Sequence, residues 1–252
     1  MSFKPAALIG IFNHGDTIAD VVEPLCAQGL PTLIVDDGSD EHTRAKLDEL
    51  SRKNPTVRVK HLNVNRGKGA ALIHGFEVLA REGFTHAVVL DADKQHDTGD
   101  VEKFLAAARA DPRALILGQP IFDASAPKAR LYGRKLSVFW VHVETLSFAI
   151  ADPLCGYRCY PLAATNDVVR SYVPRTRMDF DPEIAVRLAW SGAPMVNVAT
   201  KVVYPKGGIS HFDYLRDNRR ITWMHIRLVV GMLLRAPRLL ASRARRAQEA
   251  RA

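Results

Sequence analysis

The chain has 252 residues, 47% of them hydrophobic and 25% charged, a composition that fits one large α/β domain or a domain with a small appendage and excludes disorder except at the ends. A formal charge of +8 and a pI near 9.6 call for an anionic partner, whether nucleic acid, nucleotide, lipid phosphate or anionic membrane. Three cysteines make no even disulfide framework, no apolar run reaches the roughly 18 residues of a membrane span, and the N-terminus lacks a signal-peptide layout, so the expected setting is a reduced cytosol, soluble or peripheral.

In chain order, residues 6–12, 32–35, 57–61, 86–90 and 114–118 are short apolar, β-branched runs that read as strands. Between them, 16–28, 41–53, 68–82 and 99–110 carry helical spacing, the last with Thr98 or Asp100 as its N-cap. This alternation predicts a mostly parallel sheet covered on both faces. The second half is less regular: a long aromatic-rich helix over 130–150, helices near 163–172 and 181–191, a strand near 195–204, and an amphipathic helical region from about 213. Ten arginines from Arg216 to Arg251 make that last region basic, and the Arg/Ala-rich end after Leu240 is expected to fray.

In a parallel sheet, ligands bind beyond the carboxyl ends of the strands. Asn13, Asp36-Asp37-Gly38-Ser39 and Asp91-Ala-Asp93-Lys-Gln95-His96 all follow predicted strands directly. Two carboxylates at i and i+2 on a strand end can serve one hard cation, Mg²⁺ or Mn²⁺, which typically shares one or two carboxylates with substrate phosphates. Gln95 adds a neutral oxygen and His96 a further ligand or phosphate contact. Asp36 and Asp37 can accept from a nucleobase or ribose, with Gly38 permitting the turn. Asn65-Arg-Gly-Lys68-Gly opens a helix and suits a phosphate without being a P-loop. Each motif also has a bland reading: a solvated acidic turn, a β-turn with a helix cap, a surface lysine.

In this order the motifs resemble family 2 glycosyltransferases of the GT-A fold, nearest the dolichyl-phosphate mannosyltransferase-like branch. Asp152-Pro-Leu-Cys-Gly-Tyr-Arg158 resembles that branch's D-x-x-S-G-F-R, and Phe180-Asp-Pro-Glu-Ile184 its F-D-x-E-[IL]. The resemblance implies a Rossmann-like three-layer sandwich with a mostly parallel central sheet and a helical C-terminal segment. Residues 1–212 form the catalytic domain, with a donor half (1–120) and an acceptor half (121–212), and 213–252 a basic amphipathic appendage. It implies that Asn13, Asp36, Asp37, Lys68 and Asp91 serve a UDP- or GDP-sugar, and that Asp91, Asp93 and Gln95 hold the metal; His211, where the related pattern ends in Lys, is a candidate to complete the metal shell or touch the diphosphate. It implies that 152–158 faces the acceptor through Cys155, Gly156 and Arg158, with Arg134 on its phosphate. Ala151, Cys155 and His211 depart from the branch's pattern and point away from a polyprenyl phosphate specifically.

The expected activity is inverting transfer to a lipid or lipid-linked acceptor at the cytoplasmic face of the plasma membrane. A phosphate acceptor needs no base; for a hydroxyl acceptor, Asp152, Asp181 and Glu183 are the candidate bases. The basic tail reads as a peripheral anchor on anionic lipid or as a solvated helix face, and no nucleic-acid motif accompanies it. Two other readings compete. A sugar-nucleotide nucleotidyltransferase would carry a Gly-rich basic loop where Phe12-Asn13-His14 stands, and a non-catalytic nucleotide-sugar binder would not require intact Asp91, Asp93 and Gln95.

Overall fold

The computed structural model describes the backbone of residues 2–122, 128–172, 174–203 and 213–249. Strands β1 (Pro5–Ile11), β2 (Thr32–Asp36), β3 (Val57–His61) and β4 (His86–Asp91) alternate with helices α1 (Ile18–Ala27), α2 (Glu41–Lys53) and α3 (Lys68–Arg81). A 3₁₀ turn at Thr98–Asp100 leads into α4 (Val101–Ala110), β5 (Leu115–Phe122) and α5 (Lys128–Thr145). Then come β6 (Arg158–Pro161), α6 (Leu162–Ser171), α7 (Phe180–Ser191), β7 (Met195–Val202) and the long α8 (Tyr214–Glu249).

The strands form one sheet in the order β3-β2-β1-β4-β6-β5-β7, parallel except where β6 pairs antiparallel with β4 and β5. Side chains alternate across each strand, so β1 sends Leu8 to a core under α3, α6 and α7, and Ala7 and Ile9 to a second core under α1, α2 and α4. Three layers result. Strand β2 is buried along its whole length, and each of its aliphatic side chains contributes about 1.5–3 kcal/mol to holding the layers together.

The chain runs outward from β1 to β3 and returns to β4 on the other side of β1, which opens a crevice at the carboxyl ends of β1 and β4. The register puts Gly10 of β1 level with Asp91 of β4 and with Val35 of β2, so the polar motifs after these strands share one edge. Gly38, at φ +77°, makes the turn after β2, where an added Cβ would lie 2.8 Å from the Asn65 nitrogen.

Asp100 occupies the N-cap of α4 as expected, but its side chain pairs with Lys103 instead of bonding the helix amides, and Asp97 caps the preceding 3₁₀ turn through Gly99 N–H. Two local expectations differ from the structure. Strand β6 is absent from the sequence reading because Arg-Cys-Tyr-Pro has no alternation; its four residues are nevertheless all buried between β4 and β5. Helix α8 continues past Leu240 and through Pro237 to Glu249, in a stretch of Ala, Arg and Gln that favours helix. It packs on α5 and α7, burying Met224, Leu228, Met232 and Leu239. No described helix is long and apolar enough to cross a membrane.

Candidate active site

A cavity of about 1190 Å³ opens at the carboxyl edge of the sheet. One wall is the strand-end motifs, from Gly10 through Asp37 to Asp91, Asp93 and Gln95. Helices α5 and α8 supply an apolar stretch, Leu136, Trp140, Ile221, Val229 and Val230, beside polar lining residues of the same helices that include Arg134, Ser137, Arg216 and Arg220.

Asp37 faces the cavity from the β2 end. Its two oxygens accept from the backbone N–H groups of Arg66 (2.9 Å) and Gly67 (2.6 Å), which ties it to the start of α3. Burial raises its pKa, and the two amides pull against that rise. Asp36 differs from the expectation: it is fully buried and outside the cavity wall. One of its oxygens accepts from Ser39 N–H, and the other from Arg44 and His61, so it braces β2 against α2 and β3. Asn13 is likewise absent from the wall. Its side-chain oxygen accepts from Asp40 N–H (2.9 Å), and Asp40 in turn caps α2 through Thr43 N–H.

The centre of the site is a cluster of charges. The Lys68 ammonium lies 2.6 Å from Asp91 Oδ1 and 2.9 Å from Asp181 Oδ2, joining the end of β4 to the start of α7. His96 Nε2 stands 3.5 Å from the other Asp91 oxygen. Burial disfavours charge on Asp91, but Lys68 and His96 outweigh it and hold the carboxyl well below its ordinary range. Burial also opposes the Lys68 charge, and there Asp181 and Asp91 win, keeping the ammonium charged. Asp93, half-buried and beside the Asp91 charge, is shifted upward, by loss of solvent first and by Asp91 second. Its Oδ1 accepts from Gln95 N–H. Asp181 Oδ1 and His96 Nδ1 are buried with no partner among the described residues. Gly156 abuts this cluster so closely that a Cβ there would lie 2.3 Å from Asp91 Oδ2 and 2.7 Å from Lys68 Nζ. Among the described residues no group of three or more His, Cys, Asp or Glu side chains is placed to hold a metal ion by itself, so an ion here would need further ligands such as Gln95 or substrate phosphates.

The acceptor-side residues divide sharply. Arg134 lines the cavity and pairs with Asp152, whose Oδ1 also accepts from the N–H groups of Leu154 and Cys155. Asp152 therefore pins the 152–155 turn and is not on the cavity wall. Arg158 is wholly buried, and its guanidinium donates to the carbonyls of Cys155, Pro153 and Asp181 and to the Tyr160 hydroxyl. It frames the loop and the α7 start from behind and cannot meet an acceptor. Cys155 is buried against Gly118, and burial, followed by the Asp152 charge, pushes its thiol up to about 12. Glu183 is fully buried too: it accepts from Arg175 N–H and from Arg187 and Arg227, joining α7 to α8. Of the three candidate bases, only Asp181 borders the cavity. His211 lies outside the described residues.

Several wall residues went unread in the sequence. Arg177 donates to Asn65 beside Asp37, and Trp140 and Ser137 come from α5. The apolar side of α8 forms cavity wall, fastened by a buried contact between His225 and Glu144 (2.6 Å). The signal in the sequence was the spacing of Ile221, His225 and Val229, four residues apart on one helical face.

Residues 7–153 match the family model described as glycosyl transferase family 2. The chain is 29% identical over 214 residues to the polyprenol monophosphomannose synthase of Mycolicibacterium smegmatis, covering 82% of this chain and 80% of that protein. It is also 29% identical over 244 residues to a UDP-N-acetylglucosamine–dolichyl-phosphate N-acetylglucosaminyltransferase of Methanococcus voltae, covering 90% and 96%. Among solved structures, TarS residues 1–349 from S. aureus superposes with a TM-score of 0.62 at 13% identity, over 92% of this chain and 66% of that one. That likeness gives the fold, GT-A.

Proposed function

Taking as premise that the chain belongs to glycosyl transferase family 2, and is a glycosyltransferase, we propose that it moves a sugar, with inversion, from a UDP- or GDP-linked sugar to a lipid phosphate or lipid-linked acceptor at a membrane surface. The observation that carries this reading is one cavity with a carboxylate wall at the strand ends and an apolar wall from α5 and α8. Donor and lipid would meet between those walls.

In this reading residues 1–120 form the donor half and 121–212 the acceptor half, and the 213–252 segment contributes to the acceptor wall through residues between Asp213 and Val230. Asp37 accepts from a nucleobase N–H, and Arg177 and Asn65 close the base side. Asp91, Asp93 and Gln95 would hold Mg²⁺ or Mn²⁺. The donor set fits such an ion: Asp91, Asp93 and Asp181 against Lys68 leave a formal excess of two negative charges, and Asp181 Oδ1 is buried without a partner. The ion would share its remaining sites with the diphosphate and stabilise charge on that leaving group. Lys68 offers a second cation to the same phosphates.

The acceptor enters along the apolar wall, with Arg134 held by Asp152 to meet its phosphate. An acceptor phosphate oxygen attacks the anomeric carbon from the face opposite the diphosphate and needs no base. For a hydroxyl acceptor the base is Asp181, the one candidate on the wall. Cys155 and Arg158, buried behind the loop, leave the acceptor to Arg134, so the Ser-to-Cys departure carries no weight against a polyprenyl phosphate. The names of the M. smegmatis and M. voltae relatives, a polyprenol and a dolichyl-phosphate enzyme, support the same acceptor class.

Calorimetry with UDP- and GDP-sugars, with and without Mn²⁺, is expected to show metal-dependent binding of one of them. Transfer of labelled sugar to a short-chain polyprenyl phosphate is expected to follow. Absence of nucleotide-sugar binding, or binding indifferent to metal, overturns the donor and metal assignments.

A further inference from the structure

Adjoining the catalytic cavity, and sharing Asn65, Arg177, Arg220, Thr222 and Ile226 with it, lies a second open cleft of about 1350 Å³, floored by α3 and bounded by residues 65–66, residues 175–179 and α8. Five arginines border it: Arg66, Arg175, Arg177, Arg219 and Arg220. Two are occupied, Arg177 with Asn65 and Arg220 with Asp217. The guanidinium groups of Arg66, Arg175 and Arg219 are exposed and make no side-chain hydrogen bond or ion pair among the described residues. Glu77 and Asp179 are the acids on the wall, so the cleft carries an excess of positive charge.

A second feature runs out of this cleft. Along α8, Trp223, Ile226, Val230 and Leu233 follow at three- and four-residue spacing, each about half exposed or more, and form one apolar stripe that touches the rim of the catalytic cavity at Ile226 and Val230. Arg219 and Trp223 sit one turn apart at the join, so the stripe begins where the arginines end. A free phosphate would use the arginines and leave the stripe in water. An amphiphile with a phosphate head and an acyl tail satisfies both.

We propose that this cleft binds the headgroup phosphate of an anionic phospholipid, with its acyl chains along the Trp223–Leu233 stripe, and thereby sets the mouth of the catalytic cavity at the membrane surface. This rests on the membrane-surface reading above and adds to it a defined site. The headgroup is held by Arg66, Arg175 and Arg219, which come from three separate parts of the chain, and not by diffuse attraction to the net positive charge.

The test is flotation of the full chain with phosphatidylcholine vesicles, with and without phosphatidylglycerol. Arg66→Gln/Arg175→Gln/Arg219→Gln is compared with Lys46→Gln/Arg52→Gln/Lys60→Gln, which removes the same charge from exposed positions on α2 and β3. The wild type is expected to prefer the anionic vesicles. The cleft variant should lose on the order of a hundredfold in partitioning, about fivefold per arginine, and the control variant much less. Circular dichroism melts of both variants should match the wild type, since all six side chains are exposed. Equal losses in the two variants mean diffuse electrostatics and overturn the proposal. Wild-type binding that ignores phosphatidylglycerol overturns it while leaving the membrane reading intact, and no vesicle binding at all overturns both. Soluble glycerophosphate at matched phosphate concentration should not displace the vesicles; if it does, the ligand is a free phosphate and the lipid assignment is wrong.

Discussion

At the strand ends Asp37, Asp91 and Asp93 border the open cavity, whereas Asp152 and Arg158 around the 152–158 loop and Glu183 of α7 are spent on the chain itself. The difference follows from where the backbone groups go. A strand in a parallel sheet satisfies its own amides and carbonyls through its neighbours, so a polar side chain at its end need not serve that strand and can face a cavity. Residues 152–156 precede the sheet pairing of β6 and cross a buried region. Asp152 and Arg158 supply the missing acceptors and donors, and Glu183 does the same for the Arg175 amide.

The contrast breaks most visibly at Glu183. Changing Glu183→Ala leaves Arg187 and Arg227 without their buried partner and is expected to cost about 3–5 kcal/mol of stability. Denaturant melts measure it directly. A variant of wild-type stability with lost activity would return Glu183 to the catalytic group. On the opposite side of the comparison, Asp93→Asn should leave the melting temperature near wild type and lower kcat by a hundred- to thousandfold, with the response to Mn²⁺ gone. Full transfer by that variant removes the metal assignment.

A smaller effect sharpens the donor side. Asp37→Asn keeps the side chain's size but removes the charge that accepts from the Arg66 and Gly67 amides. Nucleotide affinity by calorimetry should fall by roughly ten- to a hundredfold, the worth of about one charge-assisted hydrogen bond. A loss confined to kcat, with affinity unchanged, would place Asp37 away from the nucleoside.

How much of this was legible follows the same division. The first four strands and α2 stand where periodicity put them, because local pattern and burial agree there. The placement of Asp37 and Asp91 at the cavity needed only their position after a strand. Strand β6 and the bracing roles of Arg158, Asp152 and Glu183 depend on partners far along the chain. Glu183 meets Arg227 across 44 residues, and Arg158 meets the Asp181 carbonyl across 23. No local spacing encodes such pairings. Asp36 shows the same limit inside the donor half: it shares a motif with Asp37, yet alternation along β2 turns it inward to Arg44 and His61.

Cys155 carries the smallest expected effect and the finest test. Read from the loop it belongs to, the thiol should touch the acceptor; buried behind that loop, it should not. Cys155→Ser is therefore expected to leave KM for the acceptor unchanged and to cost roughly 1 kcal/mol of stability, because a hydroxyl is buried where a weakly polar sulfur sat. The thiol adds a pH signature. Burial lifts its pKa from the ordinary 9.0 to about 12, so folding favours the protonated form. That contribution is fully present below pH 9 and is lost as pH rises towards 12, a slope that the serine variant should lack in this window. In the folded wild type at pH 8 the thiolate fraction is on the order of one in ten thousand, so a thiol reagent should label Cys26 and spare Cys155 until the chain unfolds. Fast labelling of Cys155 with loss of acceptor binding would mean that the loop opens towards the cavity, and the acceptor wall would then include it.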